Sequence, residues 1–110
     1  MAYDTELADR VRELLASRRG VEEKPMFGGL AFLVDGHMAV AVSREGGLLV
    51  RIQPDHTEQL LRRDHVSPMV MGGREVRGWL RIEAGALKTK RQLQGWVARG
   101  TDFVRDLPSK

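Results

Sequence analysis

Arginine and tryptophan side chains alternate along one stretch of the sequence. Arg77, Trp79 and Arg81 occupy every second position between Val76 and Ile82. Because successive side chains of a β-strand point to opposite faces, these three are expected in a row on one face. Two cations beside an aromatic ring could hold a nucleic-acid base between two phosphate contacts, or could dock a protein. The alternative interpretation is structural: a helix covers Trp79, and the arginine stems flank it.

Arg51 is a further cation of interest, because it is the one charged residue of a predicted strand over 48–52. Alternation puts it with Leu49 on the face opposite to the other apolar residues of that strand. Such a strand belongs near a sheet edge or a polar cleft. A small anion could bind Arg51 in a pocket near residues 26–29. The candidate interaction surface is therefore made of Arg77, Trp79, Arg81 and Arg51.

Residue types that carry out catalysis do not occur at the spacings that catalysis needs. Three glycine pairs do not extend to either phosphate-binding glycine motif, so they favour turns. The three histidines lack metal-ligand spacing, and His37, beside a predicted turn, is expected to have a hydrogen-bonded ring. The chain has no cysteine, and no serine lies in a nucleophile elbow. We therefore predict no catalytic residue, no metal, no cofactor and no enzymatic activity.

Two apolar runs joined by Asp35-Gly36 predict a central hairpin with strands over 30–34 and 38–42. Asp-Gly suits a two-residue type I′ turn, in which both central residues need a positive φ. This turn sets a register in which Leu33 faces Met38. Continued along the strands, the same register pairs Phe32 with Ala39 and Ala31 with Val40. Both faces of the hairpin are then apolar, which predicts strands that are covered on both sides.

The remaining elements follow from apolar periodicity and from turn residues. A helix is predicted over 5–19, with Asp4 as its N-cap and Gly20 at its end. Gly100 lies within the apolar stripe of the last helix, where a close approach of that helix to the sheet would require a glycine. The other expected elements are a connector at 21–25, a short helix over 54–63, strands over 69–71 and 76–82, and that last helix over 86–107. The order α-β-β-β-α-β-β-α predicts an α+β domain in which helices pack on an antiparallel sheet of about five strands.

Composition and charge agree with one globular domain over residues 1–110. The chain is 42% hydrophobic and 30% charged, and its net charge of +3 permits nucleic-acid binding without requiring it. No apolar run approaches the ~18 residues of a membrane helix, and the N-terminus lacks the pattern of a signal peptide. We expect a cytoplasmic protein that does not enter a membrane.

Several short motifs, in order, resemble the N-terminal domain of the TfoX/Sxy family. They span residues 4 to 108 and are Met26-Phe27-Gly28-Gly29, Asp35-Gly36-His37-Met38, Leu49-Val50-Arg51, Pro68-Met69, Gly78-Trp79, Trp96-Val97 and Leu107-Pro108. The resemblance implies an α+β fold similar to secretion-chaperone-like domains. Its best-known members are bacterial competence regulators that act with the cyclic-AMP receptor protein and carry a second, helical domain. This chain, which ends at Lys110, is expected to be a small stand-alone member.

Three functions follow as hypotheses. The first is a non-enzymatic, regulatory interaction module whose partner is a protein, with the transcription machinery and a second copy of the chain as candidates. The second is direct nucleic-acid binding through Arg77, Trp79 and Arg81. The third is a small-molecule binder or enzyme that holds a small anionic ligand near Arg51.

Overall fold

Six strands form one antiparallel sheet, and helices lie against it. The computed structural model describes residues 3–26 and 28–108. The elements are α1 (Thr5–Leu14), β1 (Val21–Met26), β2 (Gly29–Val34), β3 (His37–Val42), β4 (Leu48–Arg51), α2 (Thr57–Leu61), β5 (Val66–Met71), β6 (Arg74–Ile82) and α3 (Lys90–Arg105). The strand order is β1-β2-β3-β4-β6-β5. The predicted α+β class is confirmed, with six strands in place of about five.

The predicted turn at Asp35-Gly36 joins β2 to β3. The φ angles are 53° at Asp35 and 86° at Gly36, both positive as a type I′ turn requires. Val34 pairs with His37 and Leu33 with Met38, so the register next to the turn is the predicted one.

The predicted register fails beyond Leu33. Phe32 pairs with Val40, and not with Ala39, because a β-bulge shifts the pairing between Phe32 and Leu33. The shift exchanges the two faces of β3, so that Val40 and Val42 join Phe32 in the main core. The predicted pairs Phe32–Ala39 and Ala31–Val40 are therefore wrong.

Helices α1 and α3 cover one face of the sheet. The main core joins Leu7 and Val11 of α1 and Leu93 and Val97 of α3 to apolar residues of the sheet. Gly100 of α3 lies against β3, and a Cβ at this position would collide with the carbonyl oxygen of Ala39. The expected reason for this glycine is thus confirmed. The expectation that both faces of the hairpin are covered is confirmed only in part, since the helices pack on one face and the other, although Ala31 and Ala41 are buried there, holds an open groove.

The segment predicted as a connector, 21–25, is instead most of the edge strand β1. Its residues from Glu22 to Pro25 are exposed, and it pairs with β2 alone. An edge strand tolerates Pro25, because the missing N–H does not interrupt pairing on both sides. This strand carries charged residues in place of the apolar alternation by which strands are predicted from a sequence.

The other boundaries differ by a few residues. Asp4 caps α1 as predicted, through a bond from the Leu7 N–H at 3.1 Å, but α1 ends at Leu14, well before Gly20. The last helix begins later than predicted, because Ala84–Ala86 form a 3-10 turn. Thr89 and Gln92 then form a reciprocal capping box that starts α3 at Lys90. Residues 54–63 contain a 3-10 turn and the short α2.

Candidate interaction groove

Gly78 interrupts the alternation of side chains along β6. Its φ of 84° is in the left-handed region, and its carbonyl oxygen accepts a hydrogen bond from the Ile52 N–H at 2.9 Å. The pairing of β5 with β6 also shifts between Pro68 and Val70. As a result, Trp79 and Arg81 line a groove on the sheet face opposite to the helices, while Arg77 is exposed and is not among the lining residues.

The groove is apolar along most of its length and encloses about 550 Å³. Its walls come from β2, β3 and β4 on one side and from the far end of the β5–β6 hairpin on the other. Met26, Met38, Met69 and Met71 all line it. Val70 and Met71 form its rim and are 61% and 40% exposed, the large apolar side chains most open to solvent in the described residues. We call this feature the methionine groove.

A polar end closes the methionine groove at the turn between β3 and β4. Arg81 donates one hydrogen bond to Ser43 Oγ at 3.1 Å and one to the carbonyl oxygen of Glu45 at 3.3 Å. The Glu45 N–H donates to the same Ser43 Oγ at 3.1 Å, which fixes the turn. The Arg44 side chain packs over Gly28, whose missing Cβ leaves room for it. This end therefore carries two arginines and one glutamate.

Arg51 lies away from the methionine groove. Its backbone is paired with that of Trp79, but its guanidinium carbon is 5.0 Å from the ring centroid of Phe103 on α3. Met26 and Gly29 line the groove without Arg51, and Phe27 lies outside the described residues. The structure thus brings Trp79 and Arg81 together, and leaves Arg77 and Arg51 elsewhere.

Met38, Met69 and Met71 were missed as site residues in the sequence, because they are scattered over β3 and β5; Met26 was expected only in a pocket that binds an anion with Arg51. The sequence feature that could have identified them is their position on strand faces that do not contribute to the main core. Met38 is the second residue after the type I′ turn, and Met69 and Met71 flank the exposed Val70. A flexible thioether at each of these positions is typical of an adaptable binding surface.

The remaining predicted features have structural explanations. The His37 ring donates a hydrogen bond from Nε2 to the carbonyl oxygen of Pro108, which ties the hairpin to the end of the chain after α3. Within residues 3–26 and 28–108, no group of three or more His, Cys, Asp or Glu side chains could hold a metal ion. None of the helices in these ranges is both long and apolar enough to span a bilayer.

The fold and the groove define a small α+β domain with helices on one sheet face and an apolar groove on the other. The chain belongs to the TfoX N-terminal domain family, since the model of that family matches residues 13–104. The matched region extends from the last turn of α1 almost to the end of α3. Comparisons with curated proteins and with solved structures returned no match.

Proposed function

We propose that the chain is a non-enzymatic interaction module of a regulatory kind, and that the methionine groove binds a partner protein. Membership of the TfoX N-terminal domain family supports a regulatory role. The competence regulators that the sequence resembles act with the transcription machinery, and we propose a partner of that kind. The observation that carries the proposal is the collection of four methionines and Trp79 in one groove.

The lining of the groove favours an apolar segment as its occupant. Each methionine has three rotatable bonds and a polarizable sulfur, so it adapts to partner side chains of different shapes. Burying apolar surface contributes about 25 cal/mol per Å². The exposed rim at Val70 and Met71 is apolar surface of this kind.

The polar end of the groove favours an acidic side chain at one end of that segment. Arg81 is held in place by Ser43 and Glu45, so its cation is already oriented before anything binds. Arg44 is exposed beside it, and with Glu45 the end keeps an excess of one positive charge. The proposed occupant is therefore an extended apolar segment that ends in Asp or Glu.

The proposed occupant can be tested by immobilising the protein and selecting peptides that bind to it from a displayed library. We expect enriched peptides to combine apolar residues with an acidic residue at one end, because of Arg44 and Arg81. The Arg44→Glu variant should keep the apolar preference and lose the acidic one. Arg19→Glu reverses an exposed cation in the turn after α1, outside the groove, and should leave the selection unchanged.

Rim variants test whether the groove is the binding surface. Val70→Asp and Met71→Gln change exposed residues, so both variants should fold and should bind the selected peptides about tenfold more weakly or worse. Equal binding by wild type and Val70→Asp would place the peptide elsewhere and contradict the proposal. A dimer in solution that Val70→Asp dissociates would identify a second copy of the chain as the occupant, and would contradict a separate partner.

Nucleic-acid binding through Arg77, Trp79 and Arg81 stays a prediction. Arg77 is exposed and lies outside the groove, so the three side chains do not form one continuous row. A salt-dependent complex with DNA that Trp79→Ala weakens would support this alternative.

A further inference from the structure

A second concave surface lies between α3 and the residues that follow α2. It encloses about 570 Å³, and its cationic lining residues are Arg63, Arg91 and Arg99. His65 forms part of the same wall, with its ring packed against the backbone of Gly85. We call this surface the arginine cleft. It shares no lining residue with the methionine groove.

Two of these arginines converge on one aromatic ring. The guanidinium carbon of Arg63 is 5.7 Å from the ring centroid of Trp96, and that of Arg99 is 5.5 Å from it. Trp96 is only 5% exposed, so its ring belongs to the core and serves as a support for both cations. Burial lowers the pKa of Arg99, and the positive charge of Arg63 lowers it further.

Protein carboxylates do not neutralise this pair. Within the described residues, neither Arg63 nor Arg91 nor Arg99 forms an ion pair with Asp or Glu. Two carboxylates do line the cleft, and one of them, Asp102, contacts Arg105 at 3.7 Å. Like charges are thus held together around Trp96 without an opposing group in contact.

Gly95 provides the space between the cations. It lies on α3 four residues after Arg91 and four before Arg99, where a side chain would stand between the two. No atom lies within 4 Å of the position that its Cβ would occupy. The helix therefore has an open notch at the point where an anion would contact arginines on both sides.

We propose that the arginine cleft binds the phosphate group of a small phosphorylated molecule. The guanidinium group presents a planar fork of donors that matches phosphate oxygens, and its charge strengthens each hydrogen bond. A bound phosphate offsets the repulsion between Arg63 and Arg99. The volume of the cleft suits a small molecule. Because the Trp96 ring is buried, it offers no face on which an unpaired nucleic-acid base could stack.

Titration of the full chain with inorganic phosphate and with a sugar phosphate, followed by tryptophan fluorescence, tests the proposal. Trp79→Phe removes the other tryptophan, so the signal reports on Trp96 alone. We expect both ligands to bind saturably, and the sugar phosphate to bind more tightly. Chloride at matched ionic strength is the control. Arg99→Gln and Arg63→Gln should each weaken binding about tenfold.

Gly95→Glu separates binding from folding. The new carboxylate has open space and lies four residues from two arginines, so it should raise the melting temperature and abolish phosphate binding. Arg74→Gln, an exposed arginine outside both concave surfaces, is the matched control and should bind like wild type.

Three results would overturn the proposal. The first is a phosphate response no larger than that of chloride. The second is equal binding by wild type, Arg99→Gln and Gly95→Glu. The third is binding of duplex DNA that Arg99→Gln weakens while small phosphates do not bind, since that result would assign the cleft to nucleic acid.

Discussion

Replacing Gly100 by alanine should destabilise the protein, although the same change stabilises most helices. Alanine in a helix interior is more favourable than glycine by about 1 kcal/mol. At Gly100, however, the added methyl group would collide with the carbonyl oxygen of Ala39 and would come within 2.9 Å of Val40 Cγ1. Both obstacles belong to β3, so α3 must move away from the sheet to make room.

The size of the loss follows from these two opposing effects. Overpacking a close-packed interior costs about 1–3 kcal/mol, and the obstacle here includes a backbone oxygen that cannot rotate aside. Because such an oxygen places the cost in the upper part of this range, at about 2–3 kcal/mol, subtraction of the gain of about 1 kcal/mol in helix propensity leaves an expected loss of about 1–2 kcal/mol in the free energy of unfolding. That is a large part of the ~5–15 kcal/mol that stabilises a typical domain.

Gly95→Ala is the matched control, because it makes the same change in the same helix. No atom lies within 4 Å of its Cβ position, so the propensity gain is unopposed and should raise stability by up to about 1 kcal/mol. Urea unfolding of both variants and the wild type measures the difference, with a similar m-value expected for all three. In thermal unfolding, the melting temperatures should shift in opposite directions by about 4 °C per kcal/mol.

The result that refutes this reasoning is a stabilisation of the same size in both variants. It would mean that α3 is free to move away from β3, and that Gly100 is not required by close packing. Loss of stability in both variants would contradict the account of Gly95 instead.

Two further predictions concern the helix termini and the surface. Thr89→Ala removes the side chain that accepts a hydrogen bond from the Gln92 N–H, and should lower the free energy of unfolding by about 1 kcal/mol in urea. Hydrogen bonds from Arg12 lower the pKa of Glu23. Because the pKa of Glu23 is lower in the folded state, the ionised carboxylate stabilises the fold above the pKa of the unfolded state, about 4.5. This stabilisation is lost as the pH falls through the pKa of the folded state. Glu23→Gln should remove this acid-dependent loss, and an unchanged pH profile of the melting temperature would contradict the pairing.

The parts of the fold that depend on local chemistry could be predicted from the sequence. Asp35-Gly36 specified its turn, because few residue pairs tolerate a positive φ at both positions. Asp4 specified the start of α1 through its side-chain oxygen. Gly100 could be interpreted correctly because it interrupts an otherwise apolar stripe.

The parts that depend on contacts between distant segments could not be predicted. The bulge at Ala39 is stabilised by packing with Val34 and with Val104 of α3, which lies far along the chain. The edge strand β1 lacks the apolar alternation that marks a strand, because Glu22 to Pro25 are exposed on both of its faces.

The candidate site was predicted in part. Trp79 and Arg81 do share a surface, but strict alternation also assigned Arg77 to it, and the left-handed backbone of Gly78 breaks that alternation. The arginine cleft was not predicted from the sequence, for a different reason. Arg63 and Arg99 lie far apart in the sequence, each near an acidic residue, and only the packing of α3 brings them to one ring.

The two edges of the sheet are unequal, and this difference limits how the protein can self-associate. The β1 edge presents Glu22, Glu23, Lys24 and Pro25, residues that oppose the docking of another strand. The β5 edge also carries a proline, Pro68, with a bulge beside it, but its end at Val70 and Met71 is exposed and uncharged and does not oppose docking. A chain whose unprotected edge is limited to the end of β5 can join a second copy there, and the resulting pair then exposes only protected edges. Such a molecule can form a closed pair by this route, but it cannot grow into a continuous fibre.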